Sequence, residues 1–159
     1  MKQLALSFQL TEYEGLEELP EPKAILVNKA IEAAKKAYAP YSEYKVGAAV
    51  LLKNGEIISG NNQENAAYPS GLCAERVAIF YAGSQYPDVP VEMIAITAIM
   101  DGSIQEEPVS PCGGCRQVLL EKENLGKTPM QIILYGTKRI QVVQQANDLL
   151  PLPFTVNRG

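Results

Sequence analysis

The sequence predicts one α/β domain in which helices pack on a mixed β-sheet of about five strands. Three observations support this fold class. Segments with helical apolar spacing alternate with strand-like segments in the order β-α-β-β-α-β-α-β-β. Residues 93–100 are continuously apolar, which is typical of a central strand buried on both faces. The 159 residues suffice for one core and contain no repeat or linker, so residues 1–159 are predicted as a single domain.

Residues 1–20 are predicted to form an N-terminal arm made of a strand and a loop. Between residues 4 and 10, leucine and phenylalanine alternate with small or polar residues, which indicates a half-buried strand. The acidic segment 12–22 is bounded by proline and is expected to be a loop. A first helix is predicted over residues 23–39, where apolar side chains recur at helical spacing, and Pro40 is expected to end it.

A β-hairpin is predicted after this helix. Two short apolar runs, residues 46–52 and 56–60, flank Asn54 and Gly55, and an Asn-Gly pair between such runs favours a tight turn. A polar stretch follows. The apolar spacing of residues 73–85 then predicts a second helix.

The remaining elements follow the central strand at residues 93–100. A third helix is predicted over residues 111–124, because Pro111 suits the first turn of a helix. Residues 130–135 and 140–143 are short apolar runs and are predicted as the last two strands.

The composition is that of an ordinary globular protein, with 47% hydrophobic and 20% charged residues. A net charge of −4 and a pI of about 4.9 disfavour a nucleic-acid-binding protein, since such binding depends on clustered lysine and arginine. No apolar run approaches the roughly 18 residues of a membrane span, and the N-terminus lacks a signal-peptide pattern. An odd cysteine count does not suit a secreted disulfide framework, so we expect a cytoplasmic protein without nucleic-acid or membrane partners.

Histidine is absent from the sequence, which excludes several kinds of catalytic site. Ser-His-Asp and Cys-His units, two-histidine iron sites and HExxH protease helices all require it. A zinc site would have to use cysteine or carboxylate ligands. Cys73 lies at the start of the second predicted helix, and Cys112 and Cys115 lie at the start of the third. Because helix N-termini stabilise thiolates, these three cysteines are the candidate metal ligands.

Three thiolates without a fourth protein ligand indicate a catalytic zinc site, in which water takes the open position. Zinc lowers the pKa of such a water from about 15.7 to about 7. Arg76 and Arg116 are candidates to compensate the charge of the thiolates, and Glu75 is placed to act as general acid and base. Taken alone, a CxxC pair is more typical of a structural zinc site or a redox pair, and a single buried cysteine is typical of a small core residue.

Cys-Ala-Glu at residues 73–75, combined with Pro-Cys-x-x-Cys at residues 111–115, is the pattern of zinc deaminases. The chain resembles the cytidine deaminases, specifically the small homotetrameric class with three cysteine ligands for one zinc per subunit. The resemblance extends over residues 38–154. It is carried by the segments YAPYSEYKVGAA (38–49), GNNQENAAYPSGLCAER (60–76), SPCGGCRQ (110–117) and DLLPLPF (148–154).

The resemblance implies roles for several further residues. Asn62 and Glu64 would hold the ribose hydroxyl groups of a nucleoside, since an amide and a carboxylate can bind a hydroxyl as donor and acceptor. The alternative is that their segment is only a polar turn between a strand and a helix. Tyr44 would stack against the pyrimidine, at a position where relatives often have phenylalanine. The backbone N–H of Ala74 would bind the pyrimidine carbonyl oxygen, and the carbonyl of Ser110 would lie near the leaving amine.

The resemblance also implies an architecture and an assembly. The expected fold is the three-layer α/β/α arrangement of the cytidine deaminases. Phe154 matches a C-terminal aromatic residue that family members insert into a neighbouring subunit's active site, and its alternative role is an anchor in the chain's own core. We therefore expect a homotetramer whose active sites are shared between subunits.

The implied reaction is the hydrolytic deamination of cytidine and 2′-deoxycytidine to uridine and 2′-deoxyuridine, with release of ammonia, in pyrimidine salvage. A water activated by zinc attacks carbon 4, and Glu75 protonates ring nitrogen 3 and then the departing amine. Three alternatives stay open: a deaminase for an antibiotic or another base, a nucleic-acid editing deaminase, and a structural zinc module. The acidic net charge disfavours a nucleic-acid editing deaminase, and so does Cys73, because most editing enzymes have histidine at that position. A structural zinc module would give Glu75 no purpose.

Overall fold

Three α-helices pack on one mixed β-sheet in the computed structural model, which describes residues 1–156. The α/β fold class is confirmed, but over the described residues the sheet has seven strands, more than the predicted five. The helices are α1 (Glu21–Lys35), α2 (Ala74–Gln85) and α3 (Gly113–Gly126). The strands are β1 (Leu10–Tyr13), β2 (Lys45–Leu52), β3 (Ile57–Asn61), β4 (Val91–Met100), β5 (Ser103–Ile104), β6 (Gln131–Tyr135) and β7 (Ile140–Val143).

The strands lie in the order β1-β7-β6-β4-β2-β3, with the short β5 paired to β4. β4 and β6 run parallel, whereas the other pairs are antiparallel. At the centre of the sheet, Ala95 of β4 pairs with Ala49 on one side and with Ile133 on the other. Residues 93–99 of β4 are all buried, as their continuous apolar run predicts.

The helices cover both faces of the sheet. α1 packs on one face, over a buried cluster that includes Leu26, Ala49 and Ala95. α2 and α3 pack side by side on the other face, over a cluster that includes Ile79 and Leu119. This is the expected three-layer α/β/α arrangement.

Two glycines allow helices to lie directly against the sheet. A Cβ atom on Gly47 of β2 would overlap the carbonyl oxygen of Ala30 in α1. A Cβ atom on Gly60 of β3 would lie 2.6 Å from the backbone nitrogen of Ala78 in α2. Side-chain carbons do not approach backbone atoms this closely, so both positions require glycine. Gly60 thereby sets the distance between the sheet and α2.

The predicted N-terminal strand over residues 4–10 is wrong. The strand β1 begins at Leu10, and residues 1–9 have no regular structure. The apolar side chains of the alternating pattern, Leu4, Leu6 and Phe8, are 76, 70 and 55% exposed. A strand requires a partner, and β7 is only four residues long and pairs fully with residues 10–13. The alternating segment therefore has no strand to pair with among residues 1–156.

The bounds of α1 also differ from the prediction of residues 23–39. The helix starts earlier, at Glu21, because Pro22 fits its first turn. It ends at Lys35, four residues before the predicted end, so Pro40 does not end it. Tyr38 leaves the helix because its N–H donates to the carbonyl of Asn62 at 3.1 Å. A long-range contact, and not proline, thus decides where α1 ends.

The hairpin of β2 and β3 is confirmed, with Gly55 at a positive φ of 88° in its turn. The predicted second and third helices and the last two strands are also found, with ends shifted by at most two residues. β5 was not predicted, because two residues that fold back on β4 through Gly102 carry no recognisable strand pattern. Each helix in the described part of the chain is too short or too polar to cross a membrane.

Candidate active site

The three cysteines meet at the N-termini of α2 and α3. Cys73 directly precedes α2, Cys112 directly precedes α3, and Cys115 lies in the first turn of α3. Their Sγ atoms lie within 4.8 Å of one another. Cys115 is buried, Cys73 is partly buried and Cys112 is exposed. The structure thus brings together the three residues predicted as metal ligands.

The sulfur cluster suits zinc. Thiolates are among the ligands that zinc prefers, and Zn–S distances of about 2.3 Å place tetrahedral sulfur atoms about 3.8 Å apart. The sulfur atoms, within 4.8 Å of one another, are at most about 1 Å farther apart than this separation. Within residues 1–156, no fourth cysteine or carboxylate joins the cluster, so a tetrahedral ion would keep one position for water.

One thiol of the cluster is strongly acidified. The Cys115 thiol donates a hydrogen bond to the Cys73 sulfur and, together with Arg76, lowers the pKa of Cys73 to about 5 despite partial burial. The pKa of Cys115 is raised for the complementary reason, because the Cys73 sulfur holds its proton. A thiolate is therefore available at neutral pH to bind a metal ion.

Glu75 is the buried carboxylate of the site. It is the second residue of α2 and is only 4% exposed. Burial raises the pKa of its carboxyl above the ordinary value, and the neighbouring Cys73 thiolate adds to this effect. A carboxyl group with a raised pKa accepts and returns protons near neutral pH, as a general acid and base must.

The two arginines beside the cysteines make different contacts. Arg76 donates from Nη2 to the Cys73 sulfur at 3.4 Å, so its charge faces the cluster as predicted. Its Nε is buried and has no hydrogen-bond partner among residues 1–156. Arg116 donates instead to the carbonyl oxygens of Pro111 and Leu149, at 2.9 Å each. Charge compensation by Arg116 stays a prediction, since these two bonds point its guanidinium at carbonyl groups.

A cleft of about 480 Å³ opens beside the cysteine cluster. Its wall includes Cys73 and Arg76 from the metal site, and Asn62 and Glu64 from the segment that follows β3. A cleft of this size next to a metal site is the expected place for a small substrate. The rest of the wall is formed by Tyr41, Ser42, Gln63, Asn65, Tyr68, Gly71 and Leu72.

The Glu64 carboxylate is held by the chain segment before β2. It accepts hydrogen bonds from the Ser42 hydroxyl at 2.5 Å and from the backbone N–H groups of Tyr41 at 2.8 Å and Ser42 at 3.3 Å. These bonds, and above all the one from the Ser42 hydroxyl, lower the pKa of Glu64 below its ordinary value. The backbone of Glu64 is fixed as well, because its N–H donates to the carbonyl of Tyr38 at 2.8 Å.

Asn62 uses its side-chain amide to hold the start of β2. Its Oδ1 accepts from the Val46 N–H at 2.8 Å, and its Nδ2 donates to the Tyr44 carbonyl at 2.9 Å. An amide has two donor hydrogens and two acceptor lone pairs, so each atom keeps one free position. The ribose contact of Asn62 stays a prediction that these bonds allow. Tyr44 is partly buried, which raises the pKa of its phenol.

The sequence matches the family model of the cytidine and deoxycytidylate deaminase zinc-binding region over residues 20–128. The match covers more than half of the chain and includes all three cysteines of the cluster. The chain belongs to this deaminase family. It is therefore an enzyme, and specifically a hydrolase, as its motifs predict.

Individual relatives agree with the family match. The cytidine deaminase of Halalkalibacterium halodurans is 44% identical over 99 residues, which are 62% of this chain and 70% of that protein. The crystal structure of cytidine deaminase from Burkholderia pseudomallei superposes with a TM-score of 0.70 at 39% identity, over 82% of this chain and 97% of that one. The cytidine deaminase structure from Mycobacterium tuberculosis gives a TM-score of 0.66 at 34% identity, over 83% and 96%.

Three further predicted site residues of this deaminase lie in different settings. Ala74, the first residue of α2, is fully buried, and its backbone lies at the helix N-terminus beside the cysteines. Ser110 is exposed in the loop before α3. Phe154 is 74% exposed, so it is not an anchor in the chain's own core. Its carbonyl accepts from the Gln117 side chain at 3.0 Å, which ties its backbone to α3.

Several residues of the cleft wall, among them Tyr41, Ser42 and Tyr68, carry no sequence motif that predicts a role. Tyr41 and Ser42 hold Glu64, and the Tyr41 and Tyr68 rings lie 6.0 Å apart at 67°. Tyr41 and Ser42 belong to the segment 38–49 that carries the resemblance. Tyr41 and Ser42 precede Glu64 by 23 and 22 residues, so local sequence patterns do not predict their hydrogen bonds to it.

Proposed function

We propose that this deaminase is zinc-dependent and hydrolyses cytidine and 2′-deoxycytidine to uridine and 2′-deoxyuridine, with release of ammonia. One observation carries the proposal: the three-cysteine cluster, the buried Glu75 and the cleft bordered by Glu64 converge at the start of α2. The relatives named as cytidine deaminases support a cytosine nucleoside as the substrate.

Cys73, Cys112 and Cys115 would hold the zinc ion through their thiolates. Zinc bound there supplies an acidified water, with its pKa lowered toward about 7. Three thiolates carry more negative charge than the ion can balance. Arg76 offsets this excess through its contact with Cys73 and so keeps the site electrophilic.

Glu75 would move the protons of the reaction. It would take one proton from the attacking water and deliver it to ring nitrogen 3. It would then take the second water proton from the new hydroxyl group on carbon 4 and deliver it to the amine, which leaves as ammonia. The buried carboxyl suits this work, since burial raises its pKa and so favours the uptake of a proton from water. The backbone N–H of Ala74 and the carbonyl of Ser110 would orient the base from two sides, with the Tyr44 ring stacked on it.

Glu64 and Asn62 would bind the sugar. A carboxylate that is already fixed by three hydrogen bonds is a prepared acceptor for a sugar hydroxyl, and the Asn62 amide offers a donor and an acceptor. The negative charge of Glu64 opposes a phosphate group in the same part of the cleft. This supports a nucleoside rather than a nucleotide as the substrate.

The active form would be a cytoplasmic homotetramer that serves pyrimidine salvage. The support for shared active sites is Phe154, a large aromatic side chain that is exposed in the single chain although its backbone is held against α3. An exposed phenylalanine gains free energy when a neighbouring subunit buries it.

The test is a substrate panel. Purified enzyme with a measured zinc content is incubated with cytidine, 2′-deoxycytidine, cytosine, CMP and adenosine, and loss of the amine is followed by ultraviolet absorbance. We expect turnover of the two cytosine nucleosides and far slower turnover of the others. An enzyme that contains zinc but turns over neither cytosine nucleoside would contradict the substrate assignment, and full activity without zinc would contradict the metal dependence.

A further inference from the structure

The Arg116 side chain connects the loop before α3 to the C-terminal end of the chain. Its Nε donates to the carbonyl of Pro111 and its Nη1 donates to the carbonyl of Leu149, both at 2.9 Å. Pro111 is buried and directly precedes the ligand Cys112. Leu149 is buried in the last turn of helical structure before Phe154. One guanidinium group therefore contacts both the cysteine loop and the C-terminal segment, defined here as residues 145–154.

The C-terminal segment is attached to α3 at three levels. The buried Glu123 carboxylate accepts from the first turn of the segment, Arg116 donates to its middle, and Gln117 donates to the carbonyl at its end. Of these three side chains, Arg116 is the one that also contacts the cysteine loop. The Glu123 carboxylate accepts from the N–H groups of Ala146 at 2.7 Å and Asn147 at 3.2 Å. Arg116 donates to the Leu149 carbonyl at 2.9 Å, and Gln117 donates to the Phe154 carbonyl at 3.0 Å.

A planar guanidinium suits this bridge because it presents several donors in a fixed fork. Nε and Nη1 point at two carbonyl oxygens that are 38 residues apart in the sequence, since Pro111 and Leu149 come from different parts of the fold. Arg116 also lies next to Cys115, so its backbone position follows that of the cluster. A lysine would keep the charge but lose the fork.

We propose that Arg116 is a positioning residue that couples metal binding at the cysteines to order in the C-terminal segment. Cys112 is exposed and precedes the helix, so a bound ion would tie its loop to Cys73 and Cys115. A fixed cysteine loop would fix the Pro111 carbonyl, which accepts a hydrogen bond from Arg116. The Arg116 guanidinium, held in this way, would in turn hold the Leu149 carbonyl. The proposal uses the zinc site of the proposed function but goes beyond it, since it assigns Arg116 a mechanical role in place of charge compensation.

The test is amide hydrogen exchange of peptides that cover residues 145–154, measured by mass spectrometry on the full chain with zinc removed by chelator and after zinc is restored. We expect restored zinc to slow exchange in the segment by about tenfold in the wild type, the effect of one hydrogen bond to a charged group. Arg116→Lys and Arg116→Gln should both lose this difference. Arg139→Gln is the matched control, because Arg139 pairs with Glu107 elsewhere on the surface and should leave the difference unchanged.

Every outcome decides between the roles. If Arg116→Lys keeps the zinc-dependent protection, charge alone is sufficient and the bridge is overturned. Equal exchange with and without zinc in a wild type that binds zinc overturns the coupling but leaves the proposed function intact. A wild type that binds no zinc overturns both. If the Arg116 variants fail to fold, the wild-type comparison still decides whether the metal and the C-terminal segment are coupled.

Discussion

At the scale of single residues, two carboxylates of the site lie in opposite environments. Glu75 is buried at the start of α2, which raises its pKa, whereas Glu64 is only partly buried and accepts three hydrogen bonds, which lower its pKa. A carboxyl that protonates readily can exchange protons, and one that stays ionised is a lasting acceptor. Environment thus suits Glu75 to proton transfer and Glu64 to substrate binding.

Glu75→Gln should abolish nearly all activity without loss of metal. The amide has nearly the same size but cannot transfer the proton, so we expect kcat to fall by about 10²- to 10⁴-fold. The measurement is kcat for cytidine together with zinc content by elemental analysis. Glu121→Gln, at an exposed glutamate of α3, is the control and should be unchanged. Loss of zinc from Glu75→Gln would show instead that Glu75 is a ligand.

Ser42→Ala should shift the pH dependence of substrate binding. It removes the hydrogen bond that contributes most to the low pKa of Glu64, so that pKa should rise toward its ordinary value. Glu64 would then protonate, and lose its strength as an acceptor, at a higher pH than in the wild type.

The profile of kcat/KM for cytidine against pH measures this shift. Its acid limb should move to higher pH in Ser42→Ala, with KM and not kcat carrying the change. Ser84→Ala, far along α2, is the control. Superimposable profiles for Ser42→Ala and the wild type would mean that Glu64 does not contact the substrate.

At the scale of elements, the site depends on where α2 lies on the sheet. α2 carries Ala74 and Glu75 in its first turn and begins directly after Cys73. Its backbone approaches β3 at Gly60, where a side chain would meet Ala78 at 2.6 Å. The packing of one strand against one helix therefore positions a metal ligand and the acid–base group together.

Gly60→Ala should impair folding and catalysis together. The added methyl group overlaps backbone atoms, which cannot rotate away, so α2 must shift; we expect a loss of about 1–3 kcal/mol in the free energy of unfolding and a lower kcat/KM. The measurements are thermal unfolding and cytidine turnover.

Gly83→Ala in α2 itself is the matched control for Gly60→Ala. Open space surrounds Gly83 apart from the end of the Lys122 side chain, 3.8 Å away, so alanine should stabilise the helix by about 1 kcal/mol and leave activity intact. If Gly60→Ala were as stable and active as Gly83→Ala, the contact between β3 and α2 would not determine the site.

At the scale of the whole molecule, the single chain leaves large apolar side chains exposed. Phe80 and Tyr81 of α2 and Phe154 near the C-terminus are at least half exposed. Contact with further subunits is the expected way to bury such groups. Phe154 is the most informative of them, because the proposed shared active site assigns it to a neighbouring subunit's site.

Phe154→Ala should lower kcat/KM for cytidine by at least about tenfold without changing zinc content. An aromatic side chain buried at an interface typically contributes this much or more. The thermal unfolding of a separated monomer should not change, since Phe154 is exposed there. Phe8→Ala, at an exposed phenylalanine of the N-terminal arm, is the matched control. A fully active Phe154→Ala enzyme would contradict the shared site.

Much of the fold could be predicted from local patterns. The buried run of β4, the Asn-Gly turn of the hairpin and the helix starts at Cys73 and Cys112 depend on neighbouring residues, and all are found. The predicted strand at residues 4–10 failed because an alternating pattern specifies a strand only where another strand is present to pair with it.

The sequence by itself determined the layered α/β class, the family, and which three cysteines are the candidate metal ligands. Each of these conclusions depends on residue types within short motifs. Only the tertiary structure decided that α1 ends at Lys35, that Ser42 holds Glu64, and that Arg116 contacts Leu149. These contacts join residues 22 or more positions apart. Their partners are set by how the helices pack on the sheet, and short-range spacing carries no information about that packing.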